Sequence, residues 1–134
     1  FVEHVTGDEC CAGRREELHR GSDVVDLADL GSIRSFAARF LESGQPIDVL
    51  INNAGVMACP FEHTADGFEM QFGTNHLGHF ELTRLLEPAV VAGNEPRIVN
   101  LSSAAHSIAD VDLDDPNFEH TPYDAWVSYG QSKS

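Results

Sequence analysis

The sequence predicts an α/β fold in which helices cover both faces of a parallel β-sheet. Three short apolar runs, at 22–26, 47–52 and 97–101, each lead into a polar turn, which is typical of buried strands. The stretches between them place apolar residues at helical spacing. Because strands that alternate with amphipathic helices form parallel sheets, a ligand site is expected where the polar turns meet, beyond the carboxyl ends of the strands.

The first helix is predicted directly after the run at 22–26. Asp29 is suited to the N-cap position, and Gly44 is suited to the position just after the last turn. The apolar residues that recur at helical spacing between them are Leu30, Ile33, Phe36, Ala37, Phe40 and Leu41. This pattern predicts one amphipathic helix that packs on the sheet.

The second helix is predicted between the other two apolar runs. Thr64 can cap its start, and Pro88 followed by Gly93-Asn94 closes it. Gly73 and Gly78 lie inside the helical pattern, and glycine lowers helix stability. The two glycines suggest that the helix is divided into two pieces.

The last third of the chain is predicted to be an acidic loop followed by a helix. Pro122 precedes this helix, which contains Trp126, Tyr129 and Lys133. A calcium site was considered for the loop, but the carboxylates lack the spacing and the ligating Glu of an EF-hand. A solvated surface loop is favoured for these residues: Asp110, Asp112, Asp114, Asp115, Glu119 and Asp124.

Composition excludes several classes of protein. A chain of 134 residues with 42% hydrophobic residues suits one globular domain, and a net charge of −14 argues against nucleic acid as a partner. No apolar run approaches the roughly 20 residues of a membrane span, and nothing resembles a signal peptide, so a cytoplasmic location is expected. Cys10, Cys11 and Cys59 do not make a disulfide framework and are expected to be packing residues.

Tyr129 and Lys133 carry the clearest chemical signal. Lys133 is the only lysine of the chain, and the i, i+4 spacing predicts that it shares a helix face with Tyr129. A tyrosine has a pKa of about 10, too high for proton transfer near neutrality, and a neighbouring ammonium lowers it by favouring the phenolate. An ammonium also offers three rotatable donors, which the planar guanidinium of arginine does not replace freely.

Four motifs in this chain resemble the short-chain dehydrogenase/reductase family, in the same order and with compatible spacing. They are Asn52-Asn53-Ala54-Gly55, Asn75 within "TNHLGHF", Ser102-Ser103 after "IVNL", and Tyr129-x-x-x-Lys133. The stretch "TADGFEMQFGTNHLGHFELT" is similar to the retinol-dehydrogenase-like branch. The resemblance implies a Rossmann-like, doubly wound parallel sheet. It also implies an oxidoreductase that moves a hydride between NAD(P)(H) and a lipophilic alcohol, aldehyde or ketone.

The resemblance further implies a role for each motif residue. Tyr129 is the acid/base, Ser103 binds the substrate oxygen, and Asn75 holds a water in a proton relay from Lys133. The residues implied to contact the cofactor are Asp26 and Leu27 at the adenine, Asn53, Ala54 and Gly55 at the adenosine ribose, and Tyr129 with Lys133.

His76 and His79 suggest a metal pair, because the i, i+3 spacing brings two imidazoles near one helix face. Zinc requires further ligands at a useful spacing, and the sequence offers no obvious third one. The branch that the chain resembles carries the same histidines without a metal. No metal site is therefore predicted.

The chain departs from the family pattern at both ends. "VTGDECCAG" looks like the glycine-rich phosphate loop, but too few residues follow Gly13 for the helix, strand and helix that must precede the strand at 22–26. Residues 1–5 are instead expected to be the second strand, and "AGRREELHR" the helix after it. Residues 1–134 are thus expected to be a partial NAD(P)-binding Rossmann domain, without the first strand, the glycine-rich loop and the C-terminal part, and inactive alone.

Some functional alternatives stay open at this point. Asp8 and Glu9 lie where an acid favours NAD, but the branch often uses NADP, so the cofactor is NAD or NADP. A non-catalytic dinucleotide-binding regulator on the same fold is the main alternative, and an epimerase or dehydratase is another. The expected partners are a small alcohol or carbonyl substrate and, for the full-length protein, further copies of itself.

Overall fold

The computed structural model describes residues 24–134, which form an α/β unit. Its elements, in chain order, are α1 (Leu30–Glu42), β1 (Val49–Asn52), α2 (Met70–Phe72), a π-helical segment (Gly73–Gly78, called the π turn below), α3 (His79–Val91), β2 (Arg97–Asn100), a 3-10 turn (Ala104–Ser107) and α4 (Ala125–Ser132). The predictions for residues 1–23, including Cys10, Cys11, Asp8 and Glu9, lie outside the described residues.

Strands β1 and β2 are parallel neighbours, as the sequence predicts. Leu50 pairs with Ile98, and Asn52 pairs with Asn100 at the carboxyl ends of the strands. The continuous segment α2, π turn and α3 forms the helical part of the crossover between them. A helical crossover between adjacent parallel strands is the basic unit of a doubly wound sheet.

In the described part of the chain, helices cover only one face of the sheet. Leu50 and Asn52 are buried on the covered face, whereas Val49 and Ile51 on the other face are 54% and 51% exposed. The expectation that both faces are covered is therefore not met by residues 24–134, because α1 and α3 pack on the same side.

The strand expected at 22–26 is also not seen in its described residues, 24–26. The N–H of Asp26 donates to the Ser32 hydroxyl at 3.0 Å rather than to a neighbouring strand. An extended segment needs a ladder partner to form a strand, and the side chain of Ser32 takes that donor instead.

Helix α1 begins and ends at the predicted positions. The Asp29 carboxylate accepts hydrogen bonds from the N–H groups of Gly31 and Ser32, at 2.7 and 3.1 Å. Gly44 follows the C-cap with φ +67°, the left-handed conformation that glycine adopts without strain. The helix thereby presents its apolar face to a core made of these buried residues: Leu27, Ile33, Ala37, Leu50, Ala54, Leu82, Leu86 and Val90.

The predicted second helix is found, with different boundaries. Thr64 caps only an isolated turn, since its hydroxyl accepts the N–H of Phe68 at 3.2 Å. The helix itself begins at Met70, where the Glu69 carboxylate accepts the N–H of Phe72 at 2.8 Å. Pro88 does not end the helix, which continues through it to Val91.

Gly73 and Gly78 mark the ends of the π turn rather than a break in the helix. A Cβ atom on Gly73 would lie 2.4 Å from Thr64 Cγ2, and one on Gly78 would lie 2.4 Å from the carbonyl oxygen of Leu27. Both distances are far below van der Waals contact. The glycines are therefore required because other segments pack directly against the helix backbone.

Cys59 is buried in the segment after β1. It is disulfide-bonded, so the expectation of a simple packing thiol is wrong for this residue. Within residues 24–134, no helix combines the length and apolarity needed to cross a lipid bilayer.

The acidic segment is an organised loop rather than a simple solvated one. Asp115 is buried, and its carboxylate accepts hydrogen bonds from the N–H groups of Glu119, His120 and Thr121 and from the Thr121 hydroxyl, at 2.7 to 3.1 Å. Desolvation raises the pKa of Asp115, but the hydrogen bonds from Thr121, Glu119 and His120 together hold it below its usual value. The ionised carboxylate therefore holds the loop that leads into α4.

Acid should destabilise this loop selectively. Because the pKa of Asp115 is lower in the folded state, its contribution to stability is present above the ordinary carboxyl pKa and is lost as the pH falls through the folded-state pKa. Denaturant titrations between neutral pH and pH about 3 should show this loss, and Asp115→Asn should remove most of it. Asp114→Asn, at the exposed neighbouring position, is the control. An identical pH dependence in the wild type and Asp115→Asn would show that Asp115 is not the responsible group.

Candidate functional site

The carboxyl ends of β1 and β2 lie side by side and place their polar residues at one edge of the sheet. The Asn52 amide donates to Asn100 Oδ1 at 2.7 Å and to the Thr83 hydroxyl at 2.9 Å. The N–H of Leu101 donates to the carbonyl oxygen of Asn52 at 3.1 Å. These bonds hold the segment after β2 against the turn after β1, so the two predicted site segments are brought together.

Asn75 lies in the π turn and connects that edge to helix α4. Its side chain is buried, donates to the carbonyl oxygen of Val56 and to the Ser132 hydroxyl, and accepts the N–H of Val56, each at 2.8 Å. A Cβ atom on Gly55 would lie 2.7 Å from Asn75 Oδ1. The close approach therefore requires a glycine at position 55.

Tyr129 and Lys133 lie on the same side of α4, as the spacing predicts. Asp124 caps the helix by accepting the N–H groups of Trp126 and Val127. The Lys133 ammonium is 6.0 Å from the centre of the Tyr129 ring. Lys133 is the C-cap residue, just beyond the last helical position.

Two hydrogen bonds fix the position of Lys133 at the sheet edge. Its ammonium donates to the carbonyl oxygen of Leu101 at 3.4 Å, and its own carbonyl oxygen accepts from the Ser102 hydroxyl at 2.8 Å. The ammonium also lies about 3.5 Å from where a Cβ atom of Gly55 would be. Burial lowers the pKa of Lys133, because a charged ammonium loses hydration in this partly buried position.

Ser103 lies in the same corner of the molecule. Its hydroxyl accepts the N–H of Ala105 at 3.2 Å, which caps the 3-10 turn. This turn packs closely on α4, because a Cβ atom on Gly130 would lie 2.8 Å from the carbonyl oxygen of Ala105. The structure thus places the 3-10 turn that Ser103 caps against the helix that carries Tyr129.

The predicted cofactor residues outside α4 fall into two turns. Asn53 is exposed, whereas Ala54 belongs to the apolar core. Asp26 is exposed and accepts the N–H of Ala28 at 2.9 Å, and the Leu27 side chain is buried. The turn at 26–28 reaches the site through the carbonyl oxygen of Leu27, which lies against Gly78 in the π turn.

His76 and His79 have separate partners. The His76 ring stacks on Phe72, with the ring centres 5.2 Å apart. His79 Nδ1 is 2.8 Å from the carbonyl oxygen of Asn75, to which it donates. Burial lowers the pKa of His79, which favours the neutral ring. Among residues 24–134, no cluster of three or more His, Cys, Asp or Glu side chains is arranged to hold a metal ion.

A pocket of about 440 Å³ opens at this edge. It is lined by residues from both strands, the π turn, α3 and α4, including Asn52, Asn75, His79, Asn100, Ser102 and Lys133. Two buried side-chain atoms in the pocket wall, Asn52 Oδ1 and His79 Nε2, have no hydrogen-bond partner among the described residues. The pocket is therefore polar on the side of the two strand ends.

The sequence interpretation named Asn75 but missed three other polar residues that build this site: Gln71, Ser128 and Ser132. Gln71 and Asn75 are one helical turn apart, as are Ser128 and Ser132 on α4, and each pair faces the other. The signal was available, since polar residues at i, i+4 spacing on two otherwise apolar faces indicate buried hydrogen bonds between helices. Tyr123 is a further polar residue that the sequence analysis does not single out, and its hydroxyl donates to the carbonyl oxygen of Cys59 at 2.8 Å.

Comparisons with known proteins agree on one family. The family model described as short chain dehydrogenase matches residues 16–111. Human retinol dehydrogenase 13 is 52% identical over 115 residues, which cover 86% of this chain and 35% of that protein. The chain thus spans about one third of the length of this relative.

Solved structures give the same answer at the level of the fold. A crystal structure of an uncharacterised protein from Mycobacterium paratuberculosis is 47% identical, with a TM-score of 0.71 over 82% of this chain and 38% of that one. A metagenomic short-chain oxidoreductase in complex with NADP is 25% identical, with a TM-score of 0.55 over 82% of this chain and 45% of that one.

Proposed function

Because this chain belongs to the short-chain dehydrogenase family, we propose that it forms part of an oxidoreductase that moves a hydride between NAD(P)(H) and an alcohol, aldehyde or ketone. The observation that carries the proposal is the position of the Lys133 ammonium, 6.0 Å from the centre of the Tyr129 ring. The names of relatives such as retinol dehydrogenase 13 support a lipophilic substrate.

The side chains at the sheet edge suit a dinucleotide by their chemistry. The Lys133 ammonium and the exposed Asn53 amide are donors for ribose hydroxyls, and the exposed Asp26 carboxylate is an acceptor for an amino group. Asp8 and Glu9, the residues that bear on the choice between NAD and NADP, lie outside the described residues, so the proposal extends to NAD(P) as a class.

Tyr129 and Lys133 would act together on the proton. The bound cofactor supplies or accepts the hydride at the substrate carbon. In reduction, Tyr129 gives its phenolic proton to the carbonyl oxygen, and the alcohol forms. The Lys133 ammonium stabilises the phenolate that remains, which is then reprotonated from solvent. Ser103 would hold the substrate oxygen while negative charge develops on it.

The role of Asn75 is proposed to be architectural as well as chemical. Both N–H groups of its amide side chain donate, to the Val56 carbonyl and the Ser132 hydroxyl, so a water of the proton relay would have to donate to Asn75. Two oxygens can accept it: Oδ1, which accepts the Val56 N–H, and the backbone carbonyl, to which His79 donates. A carbonyl oxygen has two lone pairs and can accept a second bond from a water.

Lys133→Arg tests the proposal in the full-length protein. It should lower kcat by about tenfold or more, because the planar guanidinium does not reproduce the contacts of the ammonium.

The pH profile of turnover supplies a second readout for the same variant. Because burial lowers the pKa of Lys133 from its ordinary value of 10.5, the ammonium loses its proton before the pH reaches that value. Wild-type activity should therefore fall as the pH rises toward 10.5, whereas an arginine stays charged. The variant's alkaline limb should therefore move to higher pH.

The measurement is absorbance at 340 nm with NADH or NADPH and a panel of hydrophobic aldehydes. Arg97→Lys is the matched control, because it exchanges the same two residue types at an exposed position on β2. Equal turnover in the wild type and Lys133→Arg would contradict the role given to Lys133. Cofactor binding without turnover of any aldehyde or alcohol by the wild type would favour the non-catalytic regulator instead.

A further inference from the structure

A buried amide joins the three segments that carry the proposed catalytic and cofactor-binding residues. Gln71 in α2 is fully buried, and its Oε1 accepts the N–H of Ala58 in the segment after β1, at 2.8 Å. Its Nε2 donates toward the Tyr123 hydroxyl and the carbonyl oxygen of Ala125, both at 2.9 Å, and lies 3.2 Å from the Ser128 hydroxyl. One side chain therefore contacts α2, the segment after the Asn53–Gly55 turn, and the start of α4.

Tyr123 extends this connection. Its hydroxyl donates to the carbonyl oxygen of Cys59 at 2.8 Å, while accepting from Gln71. The ring packs against Phe61 and Phe118, with ring centres 4.9 and 5.2 Å away. Burial and the charge of Glu69 raise the pKa of Tyr123, so it stays protonated and remains a donor. This tyrosine is thus held in place and is not the acid/base of the site.

The two contacts to α4 are spaced one helical turn apart. Gln71 contacts Ser128, and Asn75, four residues later, contacts Ser132 at 2.8 Å. Tyr129 lies between these two serines, and Lys133 follows the second one. Two hydrogen bonds placed one turn apart fix both the position and the rotation of α4, which has only eight residues.

We infer that Gln71 and Tyr123 are positioning residues, which set the angle and depth at which α4 presents Tyr129 and Lys133. The inference rests on the proposed function and deepens it. Its physical basis is the sensitivity of proton and hydride transfer to geometry, because a displacement of about 1 Å can cost about 100-fold in rate. Neither side chain needs to contact substrate or cofactor for this effect.

Gln71→Met is the main test in the full-length protein. Methionine is close to glutamine in length and volume but lacks the donors and the acceptor. It should lower kcat by about tenfold to 100-fold, with a smaller change in KM, because the reacting groups are misaligned rather than removed. It should also shift the pH profile of turnover, because the Lys133 ammonium would then lie at a different distance from the Tyr129 hydroxyl, with which it interacts electrostatically. Tyr123→Phe, which removes one hydroxyl, should show the same changes at smaller size.

Gln131→Met is the matched control. Gln131 is a buried glutamine on α4 itself, but its Oε1 faces the N–H of Asp112 in the acidic loop, at 3.4 Å. The same substitution there should leave the pH profile of turnover in place. A shift of the pH profile equal to that of Gln71→Met would show that the loss of any buried amide in contact with α4 has the same effect. That result would overturn the specific role of Gln71.

Hydrogen exchange separates the failure of this inference from the failure of the proposed function. Exchange of the α4 amides reports the placement of the helix whether or not the enzyme turns over. Faster exchange in α4 in Gln71→Met is the expected result. Unchanged exchange in Gln71→Met would overturn the inference, and so would a variant that keeps the wild-type kcat and pH profile and loses only stability.

A wild-type protein without turnover would overturn the proposed function, and with it the catalytic part of the inference. If Gln71→Met fails to fold, Tyr123→Phe decides between the same outcomes.

Discussion

Replacing Tyr129 by phenylalanine in the full-length protein should lower kcat by about 100-fold or more, the usual contribution of a positioned acid/base. The change removes only the hydroxyl, so the ring should keep its edge contact with Trp126, whose ring centre is 6.2 Å away. The fold of α4 should therefore be unaffected, and the loss should appear in the chemical step. Steady-state turnover at 340 nm, with cofactor affinity measured separately by titration, checks this.

The comparison with Tyr123→Phe makes this experiment specific. Both tyrosines lie near α4, but only the Tyr129 ring faces the Lys133 ammonium, and the Tyr123 hydroxyl is occupied by the Cys59 carbonyl and Gln71. Tyr129→Phe should therefore be the more damaging of the two. If Tyr129→Phe retained wild-type turnover, another group would have to supply the proton, and the proposed chemistry would be wrong.

The largest effect on stability is expected for Asn75→Leu. Leucine has nearly the same volume, but it leaves the N–H and the carbonyl of Val56 without partners, and the Ser132 hydroxyl, which still donates to the Tyr129 carbonyl, loses the bond that it accepts. Each unsatisfied buried group costs about 1–3 kcal/mol, so the free energy of unfolding should fall by about 2 kcal/mol or more. Chemical denaturation followed by circular dichroism measures this loss.

Asn53→Leu is the control for that measurement. Asn53 is exposed in the neighbouring turn, where a substitution should change the unfolding free energy by only about 0.5 kcal/mol. Equal stability of the two variants would mean that the bonds of Asn75 are replaced by water or by relaxation of the turn. The connection between the π turn and α4 would then be weaker than its hydrogen bonds indicate.

The parts of the fold that were predictable from sequence are those specified by local chemistry. Asp29 and Gly44 bound α1 because a carboxylate cap and a left-handed glycine act within one turn. The apolar runs before Asn52 and Asn100 identified both strands, and the motif order identified the family. The i, i+4 spacing placed Lys133 beside Tyr129, because the helix geometry fixes that relation.

The parts that were not predictable depend on contacts distant in sequence. Thr64 resembles a helix cap, but the helix starts at Met70, where Glu69 supplies the cap instead. The π turn at Gly73–Gly78 cannot be inferred from local propensity, since the two glycines are explained only by the packing of Thr64 and Leu27. The pairing of Gln71 with Ser128 and Tyr123 crosses more than 50 positions of the chain.

The contact between Gly55 and Asn75 makes two sequence positions dependent on each other. Position 55 cannot accept a side chain while Asn75 stays as it is, because a Cβ atom there would lie only 2.7 Å from Asn75 Oδ1. Anyone who builds chimaeras from related enzymes should therefore take both positions from the same parent. A crossover placed between them would combine a turn and a helix that were never fitted to one another.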